Sequence, residues 1–169
     1  MDASLIKQGA ISHVTDKLIE MQNGCICCTL REDLLTEIVR IAKLRSFDYI
    51  LIESTGIGEP LQVAETFTFE DSEGNSLSKL ATLDTCVTVL DCFNFFKDYS
   101  TLETLRDRGQ AATKADERTV VDLLVDQIEF ADVIILNKTD MVTEIELNKV
   151  ESIIKRLNPD VLYYRQHLF

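Results

Sequence analysis

Basic residues are scarce in this chain. It carries 17 lysines and arginines against 29 aspartates and glutamates in 169 residues, a formal net charge of −12. A general nucleic-acid binder needs a basic footprint to neutralise phosphates, and an anionic membrane surface attracts the same groups, so neither class fits. Long apolar runs are lacking as well: none approaches the ~18–20 residues that span a bilayer. Met1-Asp2-Ala3-Ser4 has no basic stretch leading into an apolar one, so no secretory signal is legible. Two prolines and six glycines are too few for a low-complexity or disordered chain. Cysteines number five, an odd count, and three of them lie between Cys25 and Cys28. That makes a poor disulfide framework and a better metal or redox cluster in a reducing compartment. The expectation is a cytoplasmic protein of one domain, and a hydrophobic fraction of 46% is enough to build its core.

What is present alternates between two periodicities. Tyr49-Ile50-Leu51-Ile52, Cys86-Val87-Thr88-Val89-Leu90 and Val133-Ile134-Ile135-Leu136 are short continuous apolar runs, as expected of strands covered on both sides. Val161-Leu162-Tyr163-Tyr164 is a weaker fourth. Helical spacing links Leu30, Leu34, Ile38, Ile41 and Ala42, with Thr29 and Glu32 placed as a capping box. Thr143 and Glu146 repeat that signature ahead of Leu147, Val150, Ile153, Ile154 and Leu157. Val120 to Phe130 makes a further helix, and Pro60 suits the first turn of a short one reaching Phe67. The stretches 70–78 and 106–118 read as loops. The pattern predicts an α/β fold with a mostly parallel sheet and helices on both faces. Ligands in such sheets sit at the carboxyl ends of the strands, so the residues after each strand carry the functional information.

Three segments stand out. After Ile52 comes Glu53-Ser54-Thr55-Gly56-Ile57-Gly58-Glu59-Pro60. It is either an ordinary turn into a helix or the switch of a nucleotide hydrolase. In the second reading Glu53 holds Mg2+ through water and Gly56 lets a backbone N–H approach a terminal phosphate. After Leu136 comes Asn137-Lys138-Thr139-Asp140. The carboxylate of Asp140 can accept both hydrogen bonds that guanine offers from N1 and N2, and adenine lacks that donor pair. The Lys138 stem can lie along a base, and Asn137 can tie neighbouring loops. Asn23-Gly24-Cys25-Ile26-Cys27-Cys28 gathers three thiols ahead of a predicted helix start, which favours thiolates and hence Zn2+ or Cu(I). Cys25, Cys27 and Cys28 supply three ligands, and His13, Glu20 or a partner's thiol could supply a fourth. Buried or merely reactive cysteines, and an exchanging Cys25–Cys28 dithiol, are the competing readings. Cys86 and Cys92 fit a core better than a site, and His167 reads as solvated.

In this order the three motifs resemble the CobW family of GTP-dependent metallochaperones, relatives of the HypB and UreG nickel-insertion GTPases. Gly24 to Leu35, Leu51 to Phe69 and Asp122 to Val142 look most like the branch linked to zinc homeostasis. The resemblance implies a P-loop GTPase domain with GTP, Mg2+ and Zn2+. Glu53 and Gly56 would serve catalysis, Asn137, Lys138 and Asp140 would bind the base, and Cys25, Cys27 and Cys28 would hold metal for delivery to a client metalloprotein. One departure is plain: no Gly-x-x-x-x-Gly-Lys-Ser/Thr occurs in these residues. The expectation is therefore a single partial domain over 1–169, without the P-loop strand or the family's C-terminal domain, impaired in catalysis. An open sheet edge would carry a risk of self-association. A zinc- or partner-binding module without hydrolysis is the alternative, and a dithiol redox protein the third reading.

Overall fold

The computed structural model describes residues 36–42, 47–54, 56–58, 60–68, 76–111 and 117–167. The residues 36–42 are helical. The elements that follow are α1 (Pro60–Thr68), a 3-10 turn (Leu77–Lys79), β1 (Val87–Asp91), α2 (Phe95–Tyr99), α3 (Val120–Glu129), β2 (Val133–Asn137), a second 3-10 turn (Thr139–Met141), α4 (Glu144–Leu157) and β3 (Leu162–Arg165). The strands form one parallel sheet in the order β1-β2-β3. Val87 stands beside Val133 and Val133 beside Leu162. β2, the most apolar run, is thus the middle strand, paired on both sides.

Local chemistry explains the helix starts. Thr143 accepts from the Glu146 N–H, and the Glu146 carboxylate accepts from the Thr143 N–H, which is the capping box read from the sequence. α3 begins with the same device, made by Thr119 and Asp122. Here aspartate occupies the place that glutamate or glutamine usually takes, so the sequence pattern did not reveal it.

Alternation along the strands decides what is buried. Leu90, Ile134 and Leu136 point to one face and are at most 3% exposed. They pack with Phe95 of α2, Ile128 of α3, and Leu147, Val150 and Ile154 of α4. Each such side chain contributes roughly 1.5–3 kcal/mol by leaving water. Both crossover helices cover this same face, as successive right-handed crossovers running in one direction require. On the other face, among the described residues, Val87 and Val89 are 50% and 63% exposed, and Leu162 and Tyr164 are 59% and 61% exposed.

The run Tyr49–Ile52 is not a strand. A strand needs a ladder partner, and among the described residues β1 pairs only with β2. Instead Ile52 packs against a separate cluster of Ile38, Phe67 and Leu77, leaving Leu51 91% exposed. A third cluster, Leu105, Val120 and Leu123, sits under the 101–111 loop and takes in Ile57. Cys92, 1% exposed, belongs to the main core as expected, and Cys86 is half-buried. Among the described residues no helix is long and apolar enough to cross a membrane.

One side chain ties α3 to α4. The Asn158 amide, just beyond α4, donates to the carbonyls of Ile128, Glu129 and Ala131 at 3.0, 3.3 and 2.8 Å. Asn158→Ala leaves the last carbonyls of α3 without this donor. The expected loss is about 2 kcal/mol, measured as a lower urea midpoint with unchanged slope. A midpoint equal to wild type would show that water replaces the amide at no cost.

Candidate functional site

The carboxyl ends of the three strands meet around the loop that leaves β2. Lys138 there has φ 59° and ψ 37°, the one non-glycine residue with positive φ among the described residues. A side chain in the left-handed region costs roughly 1–2 kcal/mol, so something must hold it. The Lys138 N–H donates to the Asn137 side-chain oxygen at 2.9 Å. Its Nζ lies 2.6 Å from Oδ2 of Asp91, the last residue of β1.

Asp91 is itself fixed from the other side. Its Oδ1 accepts from the backbone N–H groups of Phe93 and Asn94, and its Oδ2 accepts from the Asn94 amide at 2.9 Å. Partial burial works to raise the Asp91 carboxyl, and the bonds from Lys138 and Asn94 outweigh it. The group therefore sits below the usual carboxylate range.

Thr139 closes the third side. It is 5% exposed, and both its N–H and its hydroxyl donate to the Gln166 carbonyl, at 3.2 and 3.1 Å. The hydroxyl also meets His167 Nδ1 at 3.1 Å. With the hydroxyl proton given to Gln166, the His167 ring donates through Nδ1–H. Although exposed, as the sequence suggests, His167 is therefore part of the loop's support. The Cys92 N–H donates to the Asn137 carbonyl, and the Gln166 N–H to the Leu136 carbonyl, so β1 and β3 grip β2 as far as the loop. Asp140 follows, exposed. The structure thus joins Asn137, Lys138 and Asp140 with Asp91, Gln166 and His167. The last three were not expected in the site. The signal for Asp91 was an acid ending an apolar strand with Asn94 three residues on. Gln166 contributes a backbone carbonyl, which no side-chain pattern could reveal.

The expected switch lies on a different support. Glu53 is exposed, and residues 56–57 form a turn. An added Cβ at Gly56 would meet nothing within 4 Å, so packing does not explain the glycine there. The Gln127 amide of α3 donates to the carbonyls of Gly56 and Gly58 at 3.0 and 3.2 Å.

Cys25, Cys27 and Cys28, with His13 and Glu20, lie outside the described residues, as does the Thr29–Glu32 cap. Among the described residues no group of three histidines, cysteines or acids is gathered to hold a metal. Burial pushes the Cys92 thiol up to about 11, and burial with Asp132 raises Cys86, so both favour the protonated thiol.

Residues 1–164 match the family model described as CobW/HypB/UreG, nucleotide-binding domain. Over 151 residues the chain is 50% identical to a protein of Dictyostelium discoideum named zinc-regulated GTPase metalloprotein activator 1, covering 89% of this chain and 32% of that one. A protein of the same name in Schizosaccharomyces pombe is 30% identical over 159 residues, covering 94% and 33%. A zinc chaperone CobW of Sinorhizobium sp. is 30% identical over 149 residues, covering 84% and 40%. The chain thus spans from about a third to two fifths of the length of these relatives. No solved structure matches.

The Asp91 clamp makes the loop acid-sensitive. A carboxylate with a depressed native value stabilises the fold above its unfolded value, about 3.9. That contribution is lost as pH falls through the lower native value. Stability of wild type minus that of Asp91→Asn should therefore decline on acidification, roughly from pH 5 to pH 2. A difference that stays flat over that range, in urea titrations, would show that Lys138 does not clamp Asp91.

Proposed function

The chain belongs to the CobW/HypB/UreG nucleotide-binding domain family, and from that premise we propose that it is the guanine-reading part of a GTP-dependent zinc metallochaperone. The observation that carries this is the loop at the end of β2. Asn137, Lys138 and Asp140 leave the middle strand together, with Lys138 held left-handed by Asp91. An exposed carboxylate on so fixed a loop can accept the two guanine donors, while the Lys138 stem flanks the base plane. The zinc-related names of the relatives support the choice of cargo.

Each residue then has a task. Asp140 selects guanine, because adenine would leave its carboxylate with unmatched lone pairs. Glu53 is exposed ahead of the Gly56 turn, open to a hydrated ion, and its hard oxygens suit Mg2+. There the ion would offset phosphate charge. The open space at Gly56 leaves its backbone accessible to a terminal phosphate. Cys25, Cys27 and Cys28 carry zinc as cargo for a client metalloprotein. No Walker-type phosphate cradle lies within these 169 residues, so the chain alone binds phosphates weakly and hydrolyses GTP poorly.

That combination has a distinctive signature. By equilibrium dialysis, guanosine, GDP and GTP should bind weakly and within about threefold of one another, because the base supplies most of the contacts. ATP should not bind, and Asp140→Ala should cost roughly a hundredfold, the worth of two hydrogen bonds to a charged acceptor. ATP binding equal to that of GTP would refute guanine reading, and robust turnover would refute impaired catalysis.

The cargo assignment is tested separately. Calorimetric titration of the reduced protein with Zn2+ should show tight binding that the Cys25/Cys27/Cys28→Ser variant loses. Equal zinc binding by that variant would move the metal elsewhere, and a defined Cys25–Cys28 redox couple indifferent to zinc would favour the dithiol reading.

A further inference from the structure

Gln127 is the residue whose bonds the proposed function leaves unused. It lies near the end of α3, and its amide reaches 71 and 69 residues back to the Gly56 and Gly58 carbonyls. Both partners are acceptors, so the amide nitrogen must face them, and each of its two N–H bonds has one carbonyl to serve. The backbone of Gln127 is fixed as well: the Thr88 hydroxyl of β1 donates to its carbonyl at 2.8 Å. Ile57, between the two glycines, packs against Leu105, Val120 and Leu123. The turn is therefore held by an apolar contact at its middle and a polar one at each side.

We infer that Gln127 is a positioning residue that latches the Gly56 turn to α3 and sets its resting place. The inference deepens the reading of that turn as a switch and rests on it for its meaning. The geometry suits a releasable catch. The Gly56 bond is exposed, so water can replace it as the turn moves. The α3 side of the catch stays put, because Thr88, Asn158 and the fully buried Ile128 hold the end of that helix, so it is the turn that moves on release.

The test needs no nucleotide, so failure of guanine reading would leave its result standing. Glu53 stands three residues ahead of Gly56, and a glutamate-specific protease must draw several residues on either side of its cleavage point into an extended cleft, so cleavage after Glu53 quickens as the turn opens. Under fast reclosing, the rate reports the open population. Gln127→Met keeps the shape without donors and Gln127→Glu offers only acceptors. Both should raise cleavage at the turn roughly ten- to thirtyfold, the loss of two ordinary hydrogen bonds. Cleavage after Glu146 and Glu151 in α4, which reports global unfolding, should change far less. Gln127→Lys restores donors of sufficient reach and should bring the turn back toward the wild-type rate, a rescue that a role through side-chain shape and packing alone would not give. Unchanged cleavage at the turn in the methionine and glutamate variants overturns the latch, as does a lysine variant as open as methionine. If the methionine variant does not fold, the glutamate and lysine pair decides the question alone.

Discussion

One carboxylate holds the loop at the carboxyl end of this sheet in place. Asp91 ends β1, gathers two backbone N–H groups and the Asn94 amide on its own side, and turns its remaining capacity to Lys138 across the strand boundary. The left-handed conformation of Lys138 is tolerable only because that ion pair and the Asn137 side chain accept its two donors in place. Remove the carboxylate and the strained residue loses its anchor, while Thr139 remains bound to Gln166. The loop would then be fixed at its middle and loose at its start. The Asn137–Asp140 motif depends on a side chain that lies outside it, 47 positions upstream of Lys138.

Two supports, rather than one, serve the candidate site. The Asn137–Asp140 loop hangs from the strand ends, where backbone ladders on both sides of β2 make it stiff. The Gly56 turn hangs from α3 by Gln127 and by the burial of Ile57. The two differ in how they resist motion. A ladder yields only when the sheet does, whereas an amide on two carbonyls can exchange with water. A stiff loop and a turn held by exchangeable bonds suit the nucleotide-dependent role proposed above.

Much of this was legible in the residues. Val133–Leu136 is so rich in branched apolar side chains that a buried strand follows, and Thr143 with Glu146 announces the helix after it. Asn137-Lys138-Thr139-Asp140 could be placed at a strand end without coordinates. The failures have physical reasons. Tyr49–Ile52 has the composition of a strand, but a strand exists only through its neighbour, and a linear pattern does not say whether one is within reach. The Thr119–Asp122 cap escaped because its acid is one methylene shorter than the usual one. Gln127 and Gln166 act through bonds to or from the main chain, where residue type carries little information. The cysteine triplet remains a reading of spacing and family resemblance, since it lies outside the described residues.

The one-sided placement of α3 and α4 has a thermal consequence. Of the apolar side chains on the three strands, Leu90, Ile134 and Leu136 are dry in the native state, while Val87, Val89, Leu162 and Tyr164 already meet water. Hydration acquired on unfolding is what raises the heat capacity. The wetted side chains have only about half of their surface left to expose, so the helix-covered face contributes more to the heat-capacity step per side chain. The stability curve that this sheet lends to the protein is accordingly flatter than its apolar content alone would give. It rests more on the strands' inner row than on their outer one.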